Sequence, residues 1–175
     1  MAKKLAVTVF LLLLAAGAAQ LVVYFPDLPR QVVTQTDAHG EPSTTIIKVG
    51  VAAIFVIVLL FCTAWFLGLG HFLGKLPDRY FKVLPGRDYW LAPQRRAETI
   101  RSLQTHLTWL GNATMGMFMA IFQAIFVRNT GGPEFNLSTA SSLFTALYLT
   151  YVFFALIKLQ ARFRLGEKKQ DKGAT

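Results

Sequence analysis

Four long apolar runs dominate this chain of 175 residues, and they cover residues 5–25, 49–69, 108–127 and 142–159. A helix crosses a bilayer core of about 30 Å with about 20 mostly apolar residues. A soluble domain of this length would not spread four such runs over nearly its whole sequence. The sequence therefore predicts an all-α fold: one membrane domain, built as an integral membrane bundle of four transmembrane helices.

The composition agrees with a membrane environment and limits the kinds of binding partner that we expect. Hydrophobic residues make up 54% of the chain and charged residues 15%, whereas charged residues are about a quarter of a typical soluble domain. The formal net charge of +9 lies mostly beside the apolar runs. We therefore expect the lipid bilayer and its anionic headgroups as partners, and no nucleic acid. The single cysteine, Cys62, lies inside the second run, which excludes an intrachain disulfide and predicts a packing role.

Lysines and arginines are distributed unequally between the segments that join the apolar runs. Only three of the 18, Arg30, Lys48 and Arg128, lie in the segments 26–48 and 128–141. Short loops rich in lysine and arginine face the cytoplasm. We therefore expect both termini, the connector 70–107 and the basic tail 160–175 to be cytoplasmic, with the other two loops outside a bacterial inner (plasma) membrane.

The first apolar run has an alternative interpretation. Lys3 and Lys4, the leucine-rich run and the small residues 16–18 resemble the three regions of a secretory signal peptide. The run continues to Phe25, however, and its about 21 residues suit a transmembrane span better than a signal core. We favour a retained helix over a cleaved one, and either outcome leaves the following loop outside.

The segment 26–48 lacks helical periodicity and carries prolines near both ends, so we expect an extended, turn-rich outer loop. Gly40, followed by Glu41 and Pro42, indicates a turn, because glycine allows positive φ and proline fixes the exit direction. Asp37, His39 and Glu41 alternate and would share one face of an extended chain. They are either a divalent-metal or proton-sensing triplet or part of a solvated loop. We favour the solvated loop, because three near neighbours interrupted by a glycine rarely enclose an ion, and we expect no metal or cofactor.

The same loop carries a resemblance. Leu28-Pro29, a short β-prone stretch, Asp37 and Gly40-Glu41-Pro42 are similar to the signature of an uncharacterised bacterial membrane domain. That domain also occurs at the N-terminus of SdpI-type immunity and signalling proteins. Its pattern usually has a histidine six residues after the proline, where this chain has Gln35. The resemblance makes the loop a candidate recognition site, formed by Leu28, Pro29, Gln35, Asp37, Gly40, Glu41 and Pro42.

A second stretch, residues 84–99 with the sequence LPGRDYWLAPQRRAET, resembles the cytoplasmic loop of the stand-alone members of that family. Together, the two stretches extend the resemblance over residues 20 to about 125. It implies a protein with four spans and without an assigned activity. Immunity belongs to the longer SdpI-type proteins.

The connector combines a helix start with aromatic and basic residues. Pro93 suits the first turn of a helix that runs through Arg101 into the third span. Ile100, Leu103, Leu107 and Leu110 would form its apolar stripe, and Tyr80, Phe81, Tyr89 and Trp90 fit an interfacial aromatic belt. These features fit plain anchoring at the membrane, which we favour, or a docking surface. The docking candidates are Tyr89, Trp90, Pro93, Arg95, Arg96 and Arg101.

Polar residues at membrane depth are few, and no span carries a charged residue in its central two turns, which argues against a coupled transporter. In the third span we single out His106, Asn112 and Gln123, with Thr114 beside them. Thr145, Tyr148, Thr150 and Tyr151 are available opposite, in the fourth. Such residues either hold helices together by hydrogen bonds, which we favour, or line a substrate path.

The other motifs of the sequence give weaker indications of function. Met115, Met117 and Met119 cannot share one helical face, so we expect core packing rather than copper binding. The glycine-rich segment 68–74 is expected to end the second span. No catalytic constellation is visible, and we expect no enzyme. The sequence favours an interaction or sensory module that uses its outer loop, with a membrane protein or a second copy as partner. The alternatives are a small transport or channel-like subunit and SdpI-like immunity against a membrane-active toxin.

Overall fold

The computed structural model describes residues 2–81 and 86–171, with side chains described up to residue 163. The described chain is mostly helical and carries one small β-hairpin. In chain order its elements are α1 (Ala2–Tyr24), β1 (Gln31–Thr36), β2 (Pro42–Ile47), α2 (Lys48–Cys62), a π-helical stretch (Thr63–Gly68), α3 (Leu69–Leu73), a 3-10 turn (Asp78–Phe81), α4 (Arg87–Trp90), α5 (Pro93–Asn129) and α6 (Leu137–Asp171).

Among the described residues, four helical segments are long and apolar enough to cross a membrane: Ala2–Tyr24, Lys48–Leu73, Pro93–Asn129 and Leu137–Phe163. They contain the four predicted runs almost completely and suggest a multi-pass membrane protein. Pro93 stands in the first turn of α5, as the sequence predicts. The 37 residues of α5 measure about 55 Å at 1.5 Å per residue, so this helix is longer than a bilayer core is thick.

Helix α5 is the centre of the fold, because α1, α2 and α6 all pack against it. Helices α1 and α5 are neighbours and run parallel. Lys3 Nζ donates to Gln104 Oε1 (2.6 Å) near their starts, and Gln20 Nε2 donates to Gln123 Oε1 (2.8 Å) near their ends. We call the end of the bundle that holds the hairpin the hairpin end, and the opposite end, which holds α3 and α4, the basic end.

The core lies between α1, α2 and α5. Phe55 of α2 packs against Phe122 and Phe126 of α5, with ring centroids 4.6 and 5.7 Å apart. Two glycines let the helices approach closely. A Cβ on Gly17 would lie 3.1 Å from Leu59, and one on Gly111 would lie 2.7 Å from Phe66.

The second spanning segment continues further than the sequence predicts. The segment 68–74 was expected to end the helix, but helical structure persists through Leu73, and Gly74 follows as the C-cap residue. Gly68 has φ −63°, a value that any residue adopts in a helix. The helix therefore ends inside the segment, as expected, at Gly74 and not at its first glycines.

The outer segment is not an unpaired loop, and this is the correction to the all-α prediction. Strands β1 and β2 form an antiparallel hairpin in which Val32 pairs with Ile46 and Val33 with Thr45. β-branched residues favour the pleated conformation, and six-residue strands are long enough to form it. The predicted turn is confirmed, since Gly40 has φ +88°.

Candidate functional site

The hairpin lies on the end of α5, on the following turn and on the first residues of α6. A two-stranded hairpin is only marginally stable alone. Here, side chains from the helical part hold its backbone. These hydrogen bonds between the hairpin and the helices define the candidate site.

Asn129, the last residue of α5, closes the outer edge of β1. Its Oδ1 accepts from the Val33 N–H (2.8 Å), and its Nδ2 donates to the Val33 carbonyl (2.9 Å). The same Nδ2 donates to the carbonyl of Ile125 (2.7 Å), which fixes the side chain to its own helix. The amide therefore satisfies the outward-facing backbone groups of Val33 as a third strand would.

The tip of the hairpin is held in a similar way from the turn before α6. Asn136 Oδ1 accepts from the Thr36 hydroxyl (3.1 Å), and its Nδ2 donates to the Asp37 carbonyl (2.6 Å). Ser138 Oγ donates to the Thr36 carbonyl (2.5 Å). Arg128 donates to the carbonyls of Gly40 (2.9 Å) and Phe135 (2.7 Å), so its guanidinium joins the tip to the turn.

The turn itself is organised by Asp37, whose Oδ1 accepts from the backbone N–H groups of His39 and Glu41, both at 2.9 Å. This is an Asx-type turn, which short acidic side chains favour. The chain is folded here, so the expectation that Asp37, His39 and Glu41 share one face of an extended segment is wrong. Among the described residues, no three His, Cys, Asp or Glu side chains are grouped to hold a metal ion.

The outer edge of β2 is open, in contrast to that of β1. The Arg30 carbonyl accepts from the Lys48 N–H (3.0 Å), so Arg30 and Lys48 belong to the hydrogen-bonded pairs of the ladder. Pairs alternate in an antiparallel ladder, which makes Val33–Thr45 and Gln31–Ile47 non-hydrogen-bonded pairs. The N–H and C=O of Thr45 and the N–H of Ile47 therefore point away from β1, and within the described residues no hydrogen-bond partner lies against them. The Ile47 carbonyl, at the N-cap of α2, accepts the first hydrogen bond of that helix.

The predicted recognition residues divide between the core and the surface. Leu28 is buried, with 4% of its surface exposed, and packs in the main hydrophobic core. Gly40 is half-buried. Gln35 accepts from the Thr44 hydroxyl across the hairpin (3.3 Å). The exposed members of the set are Pro29, Gln35, Asp37, Glu41 and Pro42.

Sequence reasoning missed the residues that hold the hairpin, namely Arg128, Asn129, Asn136 and Ser138, and the open edge at Thr45. One feature of the sequence could have indicated two of these residues, Arg128 and Asn129. An arginine and an asparagine directly follow an apolar run, where side chains leave the membrane and can bond backbone groups of a neighbouring loop. Their partner, β1, lies nearly 100 positions earlier in the chain and cannot be found from this pattern.

At the basic end, the docking candidates mostly contact their own chain. Trp90 Nε1 donates to the Phe163 carbonyl (2.9 Å), which ties α4 to α6. Arg96 Nε pairs with Asp78 (3.1 Å), and the Arg95 guanidinium lies 3.8 Å from the centre of the Tyr89 ring. Pro93 and Arg101 are exposed on α5.

The polar residues of α5 do not form one track. Asn112 Nδ2 donates to the Ala6 carbonyl (3.1 Å), and Gln123 Nε2 donates to the Tyr24 hydroxyl (2.6 Å), so both meet α1. His106 bonds through Nδ1 with the Ser102 carbonyl (2.8 Å) and lies in a groove beside α6. Thr114 and Tyr148 join α5 to α6 at 2.9 Å. These bonds are of the kind that holds helices together in a membrane.

No family model matches the chain, and neither a curated protein nor a solved structure gives a match. The resemblance to the SdpI-associated domain therefore stays a prediction.

Proposed function

We propose that this chain is a multi-pass membrane protein whose hairpin end faces outward and binds an extended segment of a partner protein along the open edge of β2. The four apolar helices support membrane insertion. The excess of lysine and arginine in the other segments supports a cytoplasmic location for both termini and for the basic end. The protein would act as an interaction or sensory module.

The observation that carries this proposal is the difference between the two edges of the hairpin. Asn129 occupies the edge of β1 at Val33, whereas the N–H and C=O of Thr45 and the N–H of Ile47 on the edge of β2 are open. Exposed strand edges add a further strand readily, with main-chain hydrogen bonds giving affinity and alternate side chains giving specificity.

Two further properties of β2 favour strand addition. Native edge strands are usually protected by central lysines, prolines or bulges. The sequence of β2, PSTTII, has no charge, and its proline at the first position and its register shift at Ser43 both lie near the hairpin tip, so the stretch from Thr44 to Ile47 has none of these protections. In addition, the bonds from Asn129, Asn136 and Arg128 hold the hairpin in place before binding, which lowers the entropic cost of association.

A proline at position 45 tests the proposal. Thr45→Pro removes an N–H that points outward, so the hydrogen bonds between β1 and β2 are kept and strand addition is blocked. The matched control is Gln31→Pro, which removes an outward N–H on the opposite strand. A photoreactive amino acid replaces Ser43, and the protein is irradiated in its native membrane. The parent chain and the Gln31→Pro variant should form a cross-linked protein adduct, and the Thr45→Pro variant should form none.

Hydrogen exchange of residues 31–47 serves as the folding control and should be alike in both proline variants. If Ser43 gives no protein adduct in the parent, or if the adduct survives Thr45→Pro, the open edge is not the binding site.

A further inference from the structure

A groove of about 470 Å³ lies between α3, α5 and α6 towards the basic end. Its volume falls in the range of about 300–1,000 Å³ that is typical of ligand sites. The groove is lined mainly by aliphatic and aromatic side chains. Polar groups come from Tyr80, His106, Trp109, Tyr151 and Gln160.

The groove exists because α6 packs in an unusual way. In the described part of the chain, α6 meets α5, and also α4 and β1 near its ends, but makes no comparable contact with α1 or α2. Helix α5 therefore forms a floor, and α3 and α6 form two separate walls. No residue in the most apolar stretch of α6 is buried.

The dimensions of the groove suit one hydrocarbon chain. On α6 it extends from Tyr151 to Phe163. At 1.5 Å per residue this is about 18 Å, close to the about 15 Å of one leaflet's hydrocarbon layer.

The mouth of the groove carries positive charge. Tyr80 and Phe163 line the groove at the basic end, and the Arg79 guanidinium lies 5.1 Å from the centre of the Tyr80 ring. Arg162 adjoins Phe163. Its carboxylate neighbour, Glu98, is 3.9 Å away and 79% exposed, and such exposed pairs are weak. An anionic group beside Tyr80 would therefore meet the Arg79 guanidinium, and Arg162 adds positive charge at the same end of α6.

We propose that this groove binds one acyl chain of an anionic glycerophospholipid from the leaflet at the basic end, with the lipid phosphate beside Arg79. The apolar lining and the length select the chain, and the arginines select the charge of the headgroup. The inference rests on the membrane insertion proposed above and not on partner binding at β2.

Lipid retention by the reconstituted protein tests the proposal. The full chain is placed in vesicles of phosphatidylcholine with phosphatidylglycerol and then extracted into mild detergent, and co-purified lipid is measured by mass spectrometry. We expect phosphatidylglycerol to be retained over phosphatidylcholine. Ala155→Trp fills the groove and should lower retention about tenfold or more, because the indole ring takes the space that the acyl chain would occupy. Arg79→Gln should lower the headgroup preference about fivefold.

The matched control is Ala146→Trp, at an exposed position of the same helix outside the groove. It should retain lipid like the parent. Vesicle flotation after an alkaline wash separates the proposed membrane insertion from the proposed lipid site. A chain that fails to float is not inserted, whereas a chain that floats without retained lipid is inserted and lacks only the lipid site.

A second measurement does not depend on variants. Phosphatidylglycerol with a photoreactive acyl chain should label groove residues such as Leu107, Ala155 and Leu159. The proposal would be overturned if both lipids were retained equally or if the two tryptophan variants lost lipid equally. It would also be overturned if Leu143 and Leu147 were labelled as strongly as the groove residues, or if a protein were cross-linked in the groove.

Discussion

At the scale of single residues, the contrast between two glycines of α5 shows where the helices need close approach. A Cβ at position 111 would lie 2.7 Å from the Cβ and Cγ atoms of Phe66, in the π-helical stretch. At Gly116 nothing lies within 4 Å of the same position. Small residues let helices meet at short distance in a membrane, and here only the first glycine serves that purpose.

Gly111→Ala should therefore lower the free energy of unfolding by about 1–3 kcal/mol, because Phe66 or the backbone must shift. Gly116→Ala should leave it unchanged or raise it by up to about 1 kcal/mol, because alanine is the better helix former. Reversible unfolding in mixed detergent micelles measures both values. Equal effects of the two substitutions would contradict this role of Gly111.

For the polar residues of α5, helical periodicity predicts which of them share a face of the helix. At 3.6 residues per turn, Asn112 and Gln123 lie within about 20° of each other, and His106 lies about 120° away from Asn112. Grouping the three as one candidate track overlooked this separation. The period distinguishes the faces, but which helix covers each face depends on tertiary packing.

At the scale of elements, the hairpin depends on a helix that is distant in sequence. Asn129 makes three hydrogen bonds that hold β1 on α5, two of them to Val33, 96 positions earlier. The strands themselves have weak sequence signals, since each has only six residues. Apolar runs, the turn at Gly40 and the helix start at Pro93 depend on local chemistry and could be predicted. The docking of the hairpin depends on remote contacts and could not.

Asn129→Ala should loosen the hairpin without unfolding the helices. Each lost hydrogen bond is worth about 1 kcal/mol, so the hairpin should lose about 1–3 kcal/mol of local stability. Amide hydrogen exchange of residues 31–47 should become correspondingly faster, while exchange in α2 stays unchanged. Gln31→Ala, at an exposed amide of β1 that makes no side-chain hydrogen bond within the described residues, is the control and should have little effect. Unchanged exchange in Asn129→Ala would refute the role given to this side chain.

At the scale of the whole molecule, the proposed orientation can be read by chemical labelling. The native thiol, Cys62, is buried and can be replaced by alanine to give a cysteine-free chain. His39→Cys at the exposed hairpin tip should react with a membrane-impermeant maleimide in intact cells. Glu98→Cys, exposed at the basic end, should react only after the cells are made permeable. The reverse pattern would place the termini outside and contradict the distribution of basic residues.

The central place of α5 has a consequence for biosynthesis. The bonds from Ala6 to Asn112, from Gln20 to Gln123 and from Val33 to Asn129 join residues 96 to 106 positions apart. At about 5–20 residues per second, the ribosome needs about 5–20 s to make that length of chain. During this interval α1, α2 and both strands are synthesised but lack the helix that binds them. Emergence of α5 is therefore the moment at which the nascent protein can become resistant to membrane proteases.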